Sequence, residues 1–154
     1  SLDRGGYRMI GIDQLLSVAL KIESKGYSCY AELAQRTRGE VSETFERLAE
    51  DERLHAARFK EIFSRISRKE REGGWSSEEV LGYLTTYAEL SIFPKLKKEV
   101  PEKLEDALEL VLDIEKESIL FYLEVAEYVK SPVITEIVDE ERRHVRTLLM
   151  LMKK

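Results

Sequence analysis

Apolar residues recur along this chain at spacings of three and four, which predicts four long amphipathic helices. No segment alternates with a period of two, so we expect no β-sheet. Cap and stop signals set the boundaries of the helices, named A to D here. The predicted spans are Asp13 (as N-cap) to about Arg38, 41–72, Pro101 to about Lys130, and Pro132 to about Met152.

The links between these helices differ greatly in length. A and B are joined by a short link at Gly39, and C and D by a link at Ser131, the predicted N-cap of D, so each pair forms an antiparallel hairpin. The B–C connection has roughly 28 residues and its own short helix, which opens at a capping box of Ser76 and Glu79 and ends before Pro94. This spacing predicts an all-α antiparallel four-helix bundle of two hairpins joined by a long crossover.

The composition agrees with one helical domain. The 154 residues are 43% hydrophobic, enough to bury a core, and 36% charged with only three Pro, which suits long solvated helices. We expect a domain over residues 12–152, preceded by a disordered extension over residues 1–11. The single cysteine, Cys29, excludes an intrachain disulfide and a four-cysteine metal site.

The net charge and the hydropathy of the chain limit which partners and which cellular location we expect. A net charge of -5 argues against nucleic acid. No apolar run approaches the roughly 18 residues of a membrane helix, and no apolar segment follows a basic start, so we expect a cytoplasmic protein without a membrane partner. The absence of Asn and the abundance of Lys, Arg and Glu are typical of thermophile proteins.

Each predicted helix carries ionisable residues at mid-length on its apolar face, where core residues are expected. These residues are Glu23 in A, Glu52 and His55 in B, Glu115 in C, and Glu141 and His144 in D. Burying one unpaired carboxylate is costly, and four placed together also repel one another. Two divalent cations would balance the four negative charges, and two neutral imidazoles would complete the ligand set. The pattern therefore predicts a two-metal site.

The two hairpins are also an internal repeat. Residues 19–35 align with 111–127, and residues 45–55 align with 134–144, so that every one of the six ionisable residues is matched to another of the six. The only two histidines of the chain both fall three residues after a matched glutamate. A repeat of this kind predicts a site with pseudo-two-fold symmetry.

Four residues near these positions have two interpretations each. Tyr30 and Tyr122 lie two helical turns after the glutamates of A and C, and are either core aromatics or hydrogen-bond donors to the site. Asp51 and Glu140 precede the glutamates of B and D, and are either solvated or acceptors for the outer N–H of the histidines.

Gly26 and Ser118 occupy matched positions one turn after the glutamates of A and C. A glycine inside a helix costs about 1 kcal/mol relative to alanine, so its presence calls for a reason. Close helix packing is one reason, and room for a small oxygen species beside the carboxylates is the other.

The order and spacing of these residues resemble the ferritin-like di-iron carboxylate superfamily. The resemblance is carried by Glu23, Glu52-Arg53-Leu54-His55, Glu115 and Glu141-Arg142-Arg143-His144. The combination of Glu23, Tyr30 and Glu52-x-x-His55 is most similar to the rubrerythrin branch. The resemblance implies a ferritin-like bundle with two iron ions, for which Mn or Zn are alternatives. It also implies that Glu52 and Glu141 bridge the ions, with Glu23 and His55, and Glu115 and His144, as the remaining ligands.

The chain departs from the rubrerythrin pattern at two points. Its single cysteine cannot form the four-cysteine site of a rubredoxin-like domain, and Ser118 stands where rubrerythrins carry an extra glutamate. Both departures weaken an assignment as a peroxidase without weakening metal binding.

The resemblance implies an oxidoreductase in which hydrogen peroxide or O2 oxidises a paired Fe(II) centre, with electrons from a separate donor protein such as a rubredoxin. Two alternatives stay open: a ferroxidase of an iron-storage assembly, and a non-catalytic, metal-stabilised bundle. An apolar strip on the crossover should cover the bundle or pair with a second chain, and we expect a homodimer. The strip consists of Val80, Leu84, Tyr87 and Ile92–Phe93.

Overall fold

The computed structural model describes the backbone of residues 4–73 and 78–153, and the side chains of residues 13–66 and 82–153. The described backbone is helical with no strand, as the sequence predicts. The helices are α1 (Arg4–Arg36), α2 (Gly39–Gly73), α3 (Glu78–Tyr87), a π-helical turn (Ala88–Ile92), α4 (Phe93–Leu96), α5 (Leu104–Tyr128) and α6 (Pro132–Lys153). The hairpin α1–α2 packs against the hairpin α5–α6.

The two hairpin links contain the residues that the sequence singled out. Gly39 has a φ of 65°, a conformation that glycine adopts without steric cost, and it lies where the chain turns from α1 into α2. The hydroxyls of Thr37 and Ser42 donate to the carbonyls of Leu33 and Ala34 at 2.8 and 2.7 Å, and so satisfy the end of α1. At the second link, Ser131 Oγ accepts from the backbone N–H of residue 133 at 3.3 Å, which confirms the predicted cap of α6.

Two predicted helix starts are wrong. Helix α1 begins at Arg4, so Asp13 lies inside it and is not an N-cap, and residues 4–11, which we expected to be disordered, have a helical backbone. Helix α5 begins at Leu104 and not at Pro101, because Lys103, with φ -73° and ψ 132°, is still extended and serves as the N-cap.

The sequence predicts that the crossover helix ends before Pro94, but the helical backbone continues past this residue. Its backbone widens into the π-helical turn, in which the N–H of Phe93 donates to the carbonyl of Ala88. Pro94 then falls in the first turn of α4, where its missing N–H costs no hydrogen bond. Ser76 of the predicted capping box lies outside the described residues.

The apolar strip of the crossover covers the bundle, which is one of the two roles expected of it. Leu84, Ala88 and Ile92 are buried in the same apolar cluster as Phe121 of α5 and Leu15 of α1. The side chain of Val80 lies outside the described residues. Along the described helices, none is long and apolar enough to cross a membrane.

The core consists of two apolar clusters, one toward each end of the bundle. One contains Phe59, Phe63 and Phe121, and the other contains Phe45 and Leu108. Among the residues whose side chains are described, the buried polar ones are the six predicted ionisable residues together with Ser118. The sequence therefore identified every buried ionisable acid or histidine in the described part of the chain.

Candidate metal centre

The structure brings the six ionisable residues together in two overlapping groups. The first group is Glu23, Glu52, His55 and Glu141, and the second is Glu52, Glu115, Glu141 and His144. Within each group, one ligand atom from each residue lies within 4.8 Å of all the others. Glu52 and Glu141 belong to both groups, so the arrangement has two sites joined by two carboxylates.

Both histidines turn the same ring nitrogen into the cluster. Nδ1 of His55 lies 3.2 Å from Glu23 Oε1 and 3.0 Å from Glu141 Oε1. Nδ1 of His144 lies 2.8 Å from Glu115 Oε2 and 2.9 Å from Glu52 Oε1. The two rings are 5.9 Å apart and nearly parallel, at 19°. The geometry therefore repeats about the pseudo-two-fold relationship that the sequence predicted.

The outer nitrogen of each histidine contacts a carboxylate on the other hairpin. His55 Nε2 lies 2.7 Å from Glu140 Oε1, and His144 Nε2 lies 3.0 Å from Asp51 Oδ2. The hydrogen bond with His144 lowers the pKa of Asp51; for Glu140, burial acts in the opposite direction, but the contact with His55 outweighs it and also lowers the pKa. Ionised carboxylates only accept hydrogen bonds, so each Nε2 donates, and Nδ1 is the nitrogen that would bind a cation once it has lost its proton.

Arg58 is a contributor that the sequence did not indicate. Its guanidinium donates to Glu140 Oε2 at 3.2 Å and to Glu136 Oε1 at 2.6 Å. It therefore holds the carboxylate that in turn holds His55. No sequence signal could have found it, because both partners lie on α6, some eighty residues away.

The two tyrosines are hydrogen-bond donors, and they cross between the hairpins. The hydroxyl of Tyr30 donates to Glu115 Oε2 at 2.6 Å, and that of Tyr122 donates to Glu23 Oε2 at 2.5 Å. Both tyrosines are at most 1% exposed. The two interpretations left open by the sequence are thus both correct, since each ring is core and each hydroxyl reaches the site.

The metal-free cluster retains protons. Burial, together with Glu115 and Glu141, raises the pKa of Glu52 well above its ordinary value, and burial beside Glu141 raises the pKa of Glu115 to about 8. For the histidines, burial disfavours the charge, but hydrogen bonds to carboxylates outweigh it. The pKa of His55 is raised to about 11 and that of His144 to about 10. Cations that bind here must therefore displace protons.

Gly26 and Ser118 break the symmetry of the site. A Cβ atom at Gly26 would lie 2.5 Å from Glu52 Oε2, so the carboxylate itself fills the space beside the glycine. At the matched position, the Ser118 hydroxyl lies 3.0 Å from Glu141 Oε2 and donates to the carbonyl of Glu115 at 2.7 Å. Close packing therefore accounts for Gly26.

The donor set fits a pair of metal ions. Glu52 Oε1 and Glu141 Oε1 are buried and make no hydrogen bond of acceptable geometry, although a histidine Nδ1 lies about 3 Å from each. Oxygen and nitrogen ligands bind cations such as Zn2+ at about 2.0–2.2 Å, so neighbouring ligands of one ion stand about 3 Å apart. The observed separations match that spacing. The fold and the site together define a four-helix-bundle protein with a carboxylate–histidine two-metal site.

Comparison with known proteins agrees with this class. The family model described as Rubrerythrin matches residues 14–152, and the chain belongs to that family. The fold is similar to the crystal structure of a ferritin-like diiron-carboxylate protein from Thermotoga maritima, with a TM-score of 0.65 and 26% identity over 93% of this chain and 95% of that one. No curated protein matches the sequence significantly. The ferritin-like, rubrerythrin-like resemblance and the fold predicted with it are confirmed.

Proposed function

We propose that the six residues hold two iron ions, and that the protein is an oxidoreductase whose paired Fe(II) centre is oxidised by hydrogen peroxide or O2. The observation that carries the proposal is the sharing of Glu52 and Glu141 between two four-residue groups. A carboxylate common to two sites is a bridging ligand, and bridged metal pairs suit two-electron chemistry. The diiron-carboxylate description of the Thermotoga maritima protein supports iron over Mn and Zn.

In this proposal, Glu52 and Glu141 would hold both ions, while one outer glutamate and one histidine would complete the ligand set on each side. When bound, two adjacent iron ions supply two electrons and positions for both oxygen atoms of a peroxide. Tyr30 and Tyr122 hold the outer carboxylates in place, and Asp51 and Glu140 orient the imidazoles. These four residues would keep the ligand side chains in place while the total charge of the two iron ions rises by two on oxidation.

The histidine–carboxylate contacts also connect the candidate metal centre to the protein surface. His144 is 3% exposed, whereas its partner Asp51 is 42% exposed, and His55 at 1% contacts Glu140 at 27%. A proton held at either Nε2 is therefore one hydrogen bond from a solvated carboxylate. Reduction of hydrogen peroxide to two waters by two Fe(II) consumes two protons, which must come from solvent, since an imidazole bound to metal through Nδ1 has no second nitrogen that could pass a surface proton inward.

The electrons that restore Fe(II) come, in this proposal, from a separate redox protein such as a rubredoxin. We keep a cytoplasmic homodimer as a separate proposal, which does not follow from the di-iron function. Ser118 supplies a hydroxyl where the resemblance leads to an extra glutamate, so this centre has six ligand side chains and a serine hydroxyl 3.0 Å from Glu141 Oε2. We infer that peroxide turnover is slower than in a centre with a seventh carboxylate.

Metal content and oxidation together test the proposal. Protein isolated without added metal is analysed for Fe, Mn and Zn, and the metal-free protein is titrated anaerobically with Fe(II). We expect two Fe(II) per chain and the consumption of one hydrogen peroxide for each pair oxidised. The double variant Glu52→Ala/Glu141→Ala is the control and should do neither.

Other outcomes identify the alternatives. Two bound metals with no oxidation by peroxide or O2 indicate a non-catalytic, metal-stabilised bundle. Oxidation that continues far beyond two iron ions per chain, in a large hollow assembly seen by light scattering, indicates an iron-storage ferroxidase. Failure of the metal-free protein to bind any of the three metals overturns the proposal altogether.

A further inference from the structure

A cleft of about 420 Å3 between α1 and α2 leads to the candidate metal centre. Its lining includes the buried carboxylates Glu23 and Glu52. Half-buried Leu20 and Ala56 line its middle, and Ser24 is exposed at its opening. The two carboxylates are 0% and 1% exposed, so almost no solvent reaches them from the cleft. A ligand that passes through it must be small.

The internal repeat provides a comparison with the matched face of the other hairpin. In the alignment, Ser24 corresponds to Lys116, and Ala56 corresponds to Val145. Val145 packs against the apolar cluster that contains Leu148 and Phe45. Two small residues line the α1–α2 cleft, Ser24 and Ala56. The matched positions on α5 and α6 carry larger side chains. The two faces of a pseudo-symmetric site therefore differ in the size of the side chains at these two matched positions.

The charge at the opening bears on what the cleft can admit. Exposed Lys60 lies at the opening and makes no ion pair with any residue that the structure describes, whereas Arg53 is paired with Glu50 at 2.6 Å. An uncompensated cation repels Fe2+ but leaves a neutral molecule unaffected. At its opening, the cleft therefore admits a small uncharged ligand without the electrostatic repulsion that Lys60 imposes on a metal ion.

We propose that the cleft between α1 and α2 is the entrance through which a small neutral oxidant, O2 or hydrogen peroxide, reaches the metal pair on the side of Glu23 and His55. This inference rests on the proposed di-iron function, and it deepens that function by assigning the reactant to one face of the bundle. The ligand displaces solvent from the cleft and arrives beside Glu52.

Substitutions at matched positions of the repeat test the proposal. Ala56→Phe fills the middle of the cleft, and Val145→Phe adds comparable bulk on the matched face. The probe is nitric oxide, a small neutral ligand, and the readout is the rate at which the iron–nitrosyl absorption develops in anaerobic Fe(II)-loaded protein. We expect Ala56→Phe to slow association about tenfold and Val145→Phe to leave it within about twofold of the unsubstituted chain.

Each variant is first titrated with Fe(II), so that only proteins with the full iron content are compared. If Ala56→Phe does not fold, Ser24→Leu at the exposed opening replaces it, with Lys116→Leu as its control. An unchanged rate in the cleft variant, or equal slowing in its control, overturns the entrance while leaving the di-iron function intact. Failure of the unsubstituted chain to bind Fe(II) overturns the proposed function and this inference with it.

Discussion

The hydroxyl of Tyr30 donates to Glu115 Oε2 at 2.6 Å, across the bundle, and not to Glu23, which lies two turns earlier on its own helix. Tyr122 makes the reciprocal contact with Glu23 at 2.5 Å. The outer glutamate of each hairpin is therefore held by a tyrosine of the other hairpin. The histidines follow the same rule, since His55 and His144 contact carboxylates of the opposite hairpin. The site is complete only when the two hairpins are docked.

Removing one of these hydroxyls should weaken metal binding without unfolding the protein. Tyr30→Phe keeps the ring in the core but leaves Glu115 without its donor, and loss of such a supporting contact typically costs about tenfold or more in metal affinity. Competition with a chelator of known affinity measures the effect. Tyr83→Phe is the control, because the hydroxyl of Tyr83 donates to Glu124 at the surface. An affinity within about twofold of the unsubstituted chain for Tyr30→Phe would contradict the supporting role.

The two kinds of ligand should differ in how many metals their loss removes. Glu52 belongs to both groups, so Glu52→Ala should abolish or scramble both metal positions. His55 belongs to one group, so His55→Ala should leave partial occupancy of the other. Anaerobic titration with Fe(II) gives the metal count for each variant, with Glu141→Ala and His144→Ala as the matched pair. Two irons in Glu52→Ala and none in His55→Ala would refute the bridging assignment.

The candidate site could be predicted from the sequence because burial is periodic along a helix. Glu52 and His55 stand at core positions of α2, and a buried carboxylate without a partner is costly enough to demand an explanation. Spacing along one helix does not show which side chains on different helices meet. The crossed contacts of Tyr30 and the role of Arg58 depend on interhelical packing, so the sequence left the first open and missed the second.

The fold, like the site, could be predicted from the sequence only in part. The hairpins and the long crossover followed from link lengths, since a short link forces antiparallel neighbours. The path of the chain past Pro94 was predicted wrongly because a proline normally ends a helix, whereas here the π-helical turn shifts the hydrogen-bond register before it. That shift depends on the packing of Ala88 and Ile92 against the bundle, which single-sequence periodicity does not contain.

Stability of the metal-free protein should fall as the pH rises from about 5 to 9. The pKa of Glu115 is raised to about 8 by burial and by Glu141, and that of Glu52 is raised in the same direction. A group with a raised folded-state pKa stabilises fully below its unfolded pKa, and that contribution is lost as the pH rises through the folded value. His55 and His144, raised to about 11 and 10, add losses of the same sign above about pH 6.5.

Bound metal takes the place of these protons, so the stabilisation by metal should grow over the same range. Melting temperatures in the presence of a chelator and of Mn2+ or Zn2+, taken at pH 5 and pH 8, measure both trends. Glu115→Gln removes one titrating carboxylate and should flatten the slope of the metal-free protein. A melting temperature in chelator that rises between the two pH values would show that the carboxylates do not share a buried site.

Replacing Gly26 should separate the stability of the helix from the binding of metal. Gly26→Ala raises helix propensity by about 1 kcal/mol, yet its Cβ would stand 2.5 Å from Glu52 Oε2. The contacted atom is the end of a flexible side chain, so the carboxylate can move aside and the metal-free protein should melt at the same temperature or higher. The displaced carboxylate is the one shared by both groups, so affinity for both metals should fall.

The matched variant Ser118→Ala removes the hydroxyl near Glu141 and adds no bulk, which should cost about 1 kcal/mol of stability from the lost hydrogen bond. In chelator, Ser118→Ala should therefore lower the melting temperature while Gly26→Ala does not, and the larger loss of metal affinity should occur in Gly26→Ala. Calorimetry in chelator and a competitive metal titration measure the two quantities separately. A Gly26→Ala protein that binds two metals as tightly as the unsubstituted chain would show that the position of Glu52 beside the glycine is not needed for binding.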